Sequence, residues 1–427
     1  MQRILIISIV IYLLILSALI TLNGDLLAFA LPFVIYFSAG LLFKPEKVKL
    51  RVNRTLSTDR VTPSMPVVVE VSIRNLGSGL ENAFFFDALP PNIEIVEGNE
   101  NILTSLDPGE TSTLEYTIRG KRGYYNFSGI NLVVSDSLGI FKHKQTIPAE
   151  GKLLIQPEVK RISRIAIRPR GTRVYSGFIP ARQGGPGVEF FGVRQYQQGD
   201  PLRWINWKAS ARHHQAYFIN EFEQERVADV GLILDTRRRS EVKLAEGESL
   251  FEHCILATAA LSETFLNDGN RVGLLLYGTH LDWTIPGYGK IQRERILQSL
   301  ARAEPGDSLI FGTLDHLPTR LFPPNSQLVI ISPLQKDDQE MLIRLRGRGY
   351  ALLVISPDPV SFEIKYTQMD TTLELAARIA RLERTLMLHK LRQAGIQVLD
   401  WDVETNLDAT LHVALSPVIP QIHAKNL

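Results

Sequence analysis

The sequence holds one cysteine, Cys254, in 427 residues. That excludes an internal disulfide and leaves the redox compartment open, with the cytoplasm the expected one. Cys254 falls inside an apolar helical pattern and is expected in a core. No Cys-x-x-Cys pair, His-Glu-x-x-His run or Gly-x-Ser-x-Gly elbow occurs, so the usual zinc, metalloprotease and serine-hydrolase signatures are missing. His213 and His214 are adjacent, pointing apart on a strand or sitting a third of a turn apart on a helix, which argues against shared metal ligation. An excess of one charge is missing too. The formal net charge is only +2, so the chain as a whole is not built to hold a polyanion, and no specific nucleic acid is expected.

The sequence does have enough apolar material to build several cores. Hydrophobic residues make up 45% and charged residues 22%, a globular balance, and the length suggests two or three domains. Ile4 to Leu22 and Leu26 to Phe43 are long apolar runs, each close to the ~20 residues that cross ~30 Å of hydrocarbon. Only Asn23, Gly24 and Asp25 separate them, so a tight transmembrane hairpin over residues 1–45 is predicted, with Pro32 tolerated in its second helix. A cleaved signal peptide fits poorly, since the first run is too long and no small-x-small site follows it. Arg3 precedes the hairpin and Lys44, Lys47, Lys49, Arg51 and Arg54 follow it, which places both ends, and the soluble domains, in the cytoplasm of a cell membrane.

Residues 46–158 change period. Val67, Val69, Val71 and Ile73 alternate with polar neighbours, and the alternation returns at Leu114, Tyr116 and Ile118 after the turn Asp107-Pro108-Gly109, then at Ile130, Leu132 and Val134. An antiparallel β-sandwich is expected. It carries no cluster of metal-ligating or catalytic residues, and Asp107 and Asp136 sit at turn positions. From residue 229 the pattern alternates between continuous apolar strands and helices. Strands at Val230 to Leu234, Val272 to Tyr277, Leu328 to Ile331, Leu352 to Ile355 and Ile396 to Leu399 predict a doubly wound α/β sheet over 229–427. A long helix ending at Gly395 places Leu375, Ile379, Leu382 and Leu386 on one face, leaving Arg378, Arg381, Arg384 and Arg392 as solvated surface. Ligands of such sheets bind beyond the carboxyl ends of the strands, which points to Asp235.

Between the two lies a connector, 159–228. From Lys160 to Arg212 it holds eleven Lys or Arg against two acids, a face open to anionic lipid or a polyanion unless nearby acids neutralise it. The run Gly184-Gly185-Pro186-Gly187 reads as a turn and lacks the Lys and Ser or Thr that a phosphate loop needs. Within the connector Arg194, Arg203 and Arg212 recur every nine residues among Phe190, Phe191, Tyr196, Trp204 and Trp207, around the turn Gly199-Asp200-Pro201. Buried guanidinium groups beside aromatics need assigned partners. Arg194, Tyr196, Asp200, Arg203, Trp204, Trp207 and Arg212 are therefore candidates for an interdomain clasp, or for a docking surface that uses arginine and tryptophan as anchors.

The stretch Phe190-Phe191-Gly192-Val193-Arg194-Gln195-Tyr196, with Gly199-Asp200-Pro201, Arg203-Trp204-Ile205-Asn206-Trp207-Lys208 and Ser210-Ala211-Arg212, resembles the signature of the domain of unknown function 58 family. The resemblance implies a membrane hairpin, a small β domain, this signature and a domain similar to the von Willebrand factor type A fold. It also implies a working partnership with a MoxR-type AAA+ ATPase. Such domains often hold Mg²⁺ with an Asp-x-Ser-x-Ser run and an Asp after a central strand. This chain reads Asp235-Thr236-Arg237-Arg238-Arg239-Ser240, with Arg237 and Arg239 at the serine positions and Ser332 where the later strand would offer its Asp. Nearby guanidinium charge opposes a dication, so a degenerate site without metal or other cofactor is expected, with Asp235 paired to a neighbouring arginine. The reading is an α+β multidomain, membrane-anchored, non-enzymatic interaction or assembly protein. The alternatives are a Mg-dependent binding module and an uncharacterised enzyme.

Overall fold

A computed structural model of the chain describes residues 2–22, 24–42, 48–135, 142–163, 173–212, 216–244, 247–278, 281–308, 313–365 and 370–415. His213, His214 and Asp136 lie outside them. The chain divides into two compact units, residues 1–156 and 157–427.

The first unit opens with the helix pair α1 (Gln2–Thr21) and α2 (Gly24–Leu42), the latter containing Pro32. Ala18 and Ala30 are buried, while most of the larger apolar side chains stand exposed. Among the described residues no helix is long and apolar enough to cross a membrane, the described side chains beginning at Leu5 in α1 and stopping at Ala39 in α2.

Among the described residues nine strands follow: β1 (Leu50–Leu56), β2 (Arg60–Val61), β3 (Val67–Asn75), β4 (Leu80–Asp87), β5 (Ile93–Gly98), β6 (Asn101–Leu106), β7 (Thr111–Gly120), β8 (Gly123–Ser135) and β9 (Lys142–Ile155). They form two sheets, ordered β1-β3-β7-β5 and β2-β9-β8-β4-β6, antiparallel throughout except for the pair β2–β9. The period-two pattern turns Val67, Val69, Val71 and Ile73 inward, where they share one core with Phe85, Phe127, Ile130 and Leu132 of the other sheet. The turn at Asp107 forms as expected, with Gly109 at φ 86°.

Inside this apolar core sits an ion pair. Arg54 of β1 donates from Nη2 to both oxygens of Asp87 in β4, at 2.6 and 2.7 Å. It also donates to the carbonyl of Ala149 in β9 and stacks over Phe127, 4.8 Å from the ring centre. The Tyr116 hydroxyl of β7 donates to the same carboxylate; burial and then that carboxylate push its pKa above the usual value. Four strands from two sheets thus meet at Asp87. Removing one partner leaves a buried charge unpaired, so Arg54→Ala should cost about 3–5 kcal/mol in a denaturant titration. Arg54→Met with Asp87→Leu should lose much less, since the charge disappears with its partner.

The second unit begins with a two-stranded ladder, β10 (Arg173–Gln195) against β11 (Phe218–Val227), with the one-turn helix α3 (Trp207–Ser210) between them. Gly184 to Gly187 lie inside β10, correcting the expected turn. The ladder slips there, from Gly185↔Phe222 to Phe190↔Phe222, and glycines accommodate the irregularity.

Beyond the ladder come β12 (Asp229–Asp235), α4 (Leu250–Asn267), β13 (Arg271–Tyr277), β14 (Leu281–Gly287), α5 (Gly289–Arg302), β15 (Gln327–Ile331), α6 (Asp338–Gly347), β16 (Ala351–Pro357), α7 (Pro359–Lys365), α8 (Thr371–Gln393), β17 (Gln397–Trp401) and α9 (Leu407–Leu415). The strands order as β14-β13-β12-β15-β16-β17, parallel except for the edge strand β14. Alternate residues feed two cores. Val230, Leu232 and Leu234 pack with α4 and α5, including the buried Cys254, whereas Ile233 and Leu275 pack with Met341 and Leu345 of α6 and Leu388 and Leu391 of α8. Helices therefore cover both faces, as the continuous apolar strands predict.

One reading of α8 needs correction: Arg384 is buried rather than solvated. Leu375, Ile379, Leu382 and Leu386 share one face as expected, and that face points outward.

Candidate functional site

Strand order reverses between β12 and β15, and the carboxyl ends of those strands border the crevice in which open α/β sheets bind ligands. Asp235 ends β12 there, and the guanidinium of Arg237 folds back onto it. Nε donates to Asp235 Oδ1 at 2.8 Å and Nη2 to Oδ2 at 2.7 Å, while the Arg237 backbone N–H also reaches Oδ1 at 3.0 Å. The opposite edge of the same group meets a second carboxylate, Asp338 at the start of α6, through Nη1 and Nη2, each at 2.8 Å. Both carboxylates and the arginine are buried.

Hydroxyls complete the shell. Ser240 and Ser332 donate to Asp235 Oδ2 at 2.7 and 2.6 Å. The loop after β15 supports this arrangement at the cost of a left-handed residue, Leu334 at φ 60°. Through that turn the Leu334 N–H donates to Ser332 Oγ and the Gln335 N–H to Asp338 Oδ2. Burial opposes ionisation of Asp235, but the hydrogen bonds and charge of Arg237, with both serine hydroxyls, outweigh it and hold the carboxyl below its usual range. Burial likewise disfavours charge on Arg237, and the two carboxylates overcome it, raising the pKa. Arg239, the other arginine at a serine position, turns outward to Asp337 at 2.8 Å and holds that carboxyl below its usual range.

A second arginine closes the neighbouring strand ends. Arg384 of α8 reaches Asp400 at 2.6 Å, the carbonyl of Pro333 at 3.0 Å and that of Ser356 at 2.9 Å. It ties together the chain beyond β15, the end of β16 and β17.

The oxygen set Asp235, Ser240, Ser332 and Asp338 has the hard character that a divalent cation wants. With the guanidinium hydrogen-bonded to both carboxylates, it does not fit one. The pairing of Asp235 with a neighbouring arginine follows from the sequence. Asp338 does not, because it arrives from about a hundred residues further along the chain, and its one local signal is an Asp opening a helix after a Pro-containing loop.

The signature residues form a different surface. Arg194 makes a two-pronged contact with Asp200, at 2.8 and 2.6 Å, and lies 3.5 Å from Glu221. Asp200 also accepts from the Gln197 N–H at 2.7 Å; the arginine first, then that amide, hold its carboxyl below the usual range. The turn is fixed to β11 by Asn206, whose N–H reaches the Phe218 carbonyl, whose side chain caps α3 through Ala209 N–H, and whose amide donates to Asn220. Tyr196 pairs through its backbone with Tyr217.

Trp207 is 67% exposed and is not a core aromatic of its own unit. It meets Tyr217 edge-on at 6.5 Å, and the Arg203 guanidinium lies over Trp204 at 5.8 Å. Arg203 and Arg212 are exposed. Arg194 and Asp200 are thus brought together as a local brace, while Arg203 lies over Trp204 and Trp207 beside Tyr217, with Leu202, Arg203, Trp207 and Tyr217 exposed.

These features define a mixed-sheet α/β domain whose carboxyl-end crevice is closed by its own arginines and whose signature turn faces outward. Residues 192–364 match the family model "Protein of unknown function DUF58", and over that stretch the chain is similar to the DUF58 family. It is also similar to "Uncharacterized protein YeaD" of Bacillus subtilis (strain 168), 27% identical over 253 residues, a match covering 58% of this chain. The chain spans 60% of the length of that relative.

Two solved structures resemble part of the chain. The CARDB domain of the PF1109 protein of Pyrococcus furiosus, solved in complex with di-metal ions, is 22% identical, with 26% of this chain and 96% of that one covered and a TM-score of 0.19. The FixG-related protein of Vibrio parahaemolyticus is 11% identical, with 26% and 98% covered and a TM-score of 0.18. Likenesses at those scores carry no argument.

Arg237→Ser tests the closed crevice. It leaves buried Asp235 without a cationic partner and Asp338 with only Arg239, 3.3 Å away, so stability should fall by about 3–5 kcal/mol. Millimolar Mg²⁺ should raise the melting temperature of the variant by several degrees, because the oxygen set then lacks its cation, and should leave that of the parent unchanged. Acid should act in the matching sense. Since Asp235 titrates lower in the folded state, its contribution is full above the unfolded value of about 3.9 and is lost as pH falls through the lower folded value. A rise of the parent's melting temperature with Mg²⁺ overturns this account.

Proposed function

We propose that the chain is a membrane-anchored, non-enzymatic interaction protein whose von Willebrand A-like domain presents the signature turn to a protein partner. The observation that carries this reading is the exposed cluster of Leu202, Trp207 and Tyr217 beside Arg203, Lys208 and Arg212. Large aromatics and arginines held out in water on a braced turn are what anchor protein interfaces. The basic flank suits an acidic partner surface, for which a MoxR-type AAA+ ATPase is the proposed candidate.

The non-enzymatic part rests on the crevice, where Arg237 and Arg384 occupy the ground that a substrate or metal would take. A Mg-dependent binding module is the weaker reading for the same reason. Anchoring rests on the exposed apolar side chains of α1 and α2. Their outward leucines, isoleucines and phenylalanines would be costly to leave in water.

Two measurements test the proposal. Trp207→Ala should leave the melting temperature within about a degree, because the ring is mostly solvated, yet reduce recovery of the ATPase from native membranes about tenfold. Normal recovery rejects the surface. A cysteine in place of Gly24 should react with a membrane-impermeant thiol reagent in intact cells, and one in the second unit should not. Labelling of the second unit rejects the topology.

A further inference from the structure

Helix α8 has two apolar faces, and the domain uses only one of them. Its buried residues are Ala377, Arg384, Leu388 and Leu391. At about 100° per residue these lie on the side opposite Leu375, Ile379, Leu382 and Leu386, which are 58%, 52%, 65% and 62% exposed. The four exposed residues are spaced by four, three and four. That is the repeat of a coiled-coil seam, with Ile379 and Leu386 in its a positions and Leu375 and Leu382 in its d positions. Ala377, Arg384 and Leu391, seven apart, fall at the f position, the back of such a helix. The seam is narrow, and Thr372 and His389 occupy its next positions at either end.

We propose that this seam is a self-association surface, on which α8 of a second copy lies parallel to the first. Three features select that occupant. The branched Ile379 at one of the two a positions, with Leu at both d positions, suits a two-stranded parallel pair. In a parallel pair the residue before each a position faces the residue after the next d position of the neighbour, which sets the exposed Arg378 against the exposed Glu383 of the second copy. The two-fold axis makes this attraction twice. An antiparallel pair would instead set Arg378 near Thr385 and Glu383 near Ala376, with no charge gained. A lipid surface is the poorer occupant, because a membrane-lying helix wants a broad apolar face, whereas Glu383 borders this seam and it is only two residues wide. Leu375 to Leu386 extends about 18 Å, less than standard interfaces cover, so the association is weak and reversible. Only part of α8's neighbourhood falls within the family match, which ends at residue 364, and the inference does not depend on membrane anchoring.

The test uses the full chain in detergent with Leu382→Cys, compared with Arg381→Cys on the flank of the same helix. The native Cys254 is buried and contributes no cross-link. A d position meets its own copy across a parallel two-fold, so mild oxidation should give at least about tenfold more covalent dimer from Leu382→Cys than from Arg381→Cys. Adding Arg378→Glu should cut that yield several-fold, by placing like charges together, and further adding Glu383→Arg should restore it.

Equal yields from the two cysteines overturn the proposal, as does failure of the double reversal to restore. Loss of binding to phosphatidylglycerol-containing vesicles by Leu382→Asp, in a chain that gives no selective cross-link, also overturns it and assigns the seam to lipid.

Discussion

A single guanidinium at the end of β12 governs the architecture of the second unit. The carboxyl ends of parallel strands leave a crevice where the strand order reverses, and backbone there must be satisfied by a ligand, by water or by the protein itself. Arg237 supplies the last solution. It bridges Asp235 of β12 to Asp338 of α6, while Ser332 brings in the end of β15. Two segments distant in sequence, the end of β12 and the stretch from Ser332 to Asp338, converge on one ion pair. Such a buried pair adds little net stability over an apolar replacement, but breaking it is expensive. Its main effect is on geometry: α6 and the loop after β15 can take one position only.

The same solution recurs across the chain. Arg54 joins two sheets of the first unit through Asp87, Arg384 gathers three strand ends, and Arg194 braces the signature turn through Asp200. Each uses the planar fork of arginine, whose donors match a carboxylate or several carbonyls at fixed angles, a task that the single ammonium of lysine performs poorly. The near-neutral net charge is consistent with this. Arg54, Arg237 and Arg384 are buried struts with assigned carboxylates rather than part of a field directed at a distant polyanion.

Much of the framework was legible in the sequence because it rests on periodicity. Alternation at Val67 to Ile73 gave β3, and continuous apolar runs gave the five parallel strands, since each pattern reflects how many faces are buried. β14 was not seen. It is an edge strand whose Trp283 and Thr284 are half-buried and which contains Pro286, so neither pattern is clear.

The candidate site was half legible. Asp235 and Arg237 are neighbours, and a strand-end carboxylate beside arginines has an obvious local pairing. Asp338 belongs to another part of the chain, and nothing local reports a contact made only by the fold. Arg384 was misread for a related reason. On a helix bearing several arginines, sequence alone does not tell which one turns inward.

The shared face of α8 was legible in the sequence, and its direction was not. Leu375, Ile379, Leu382 and Leu386 do share a face, but periodicity shows only that an apolar face exists, not which way it points. The helix satisfies the domain with smaller means, Ala377, Leu388 and Leu391 around the buried Arg384, and retains a second apolar seam that the domain has no use for. A chain under selection for solubility does not keep four large apolar residues in heptad register on an outer surface without a cover, because each substitution to a polar residue would be nearly free in the monomer. With the carboxyl-end crevice filled by Arg237, the surfaces left for recognition are external: the signature turn and this seam. They lie on different elements and differ in chemistry, aromatic and basic in one case and aliphatic with a matched charge pair in the other. A surface matched to itself and a surface matched to something acidic can be occupied at once, which allows the proposed partner to be bound by an assembled protein rather than by a single copy.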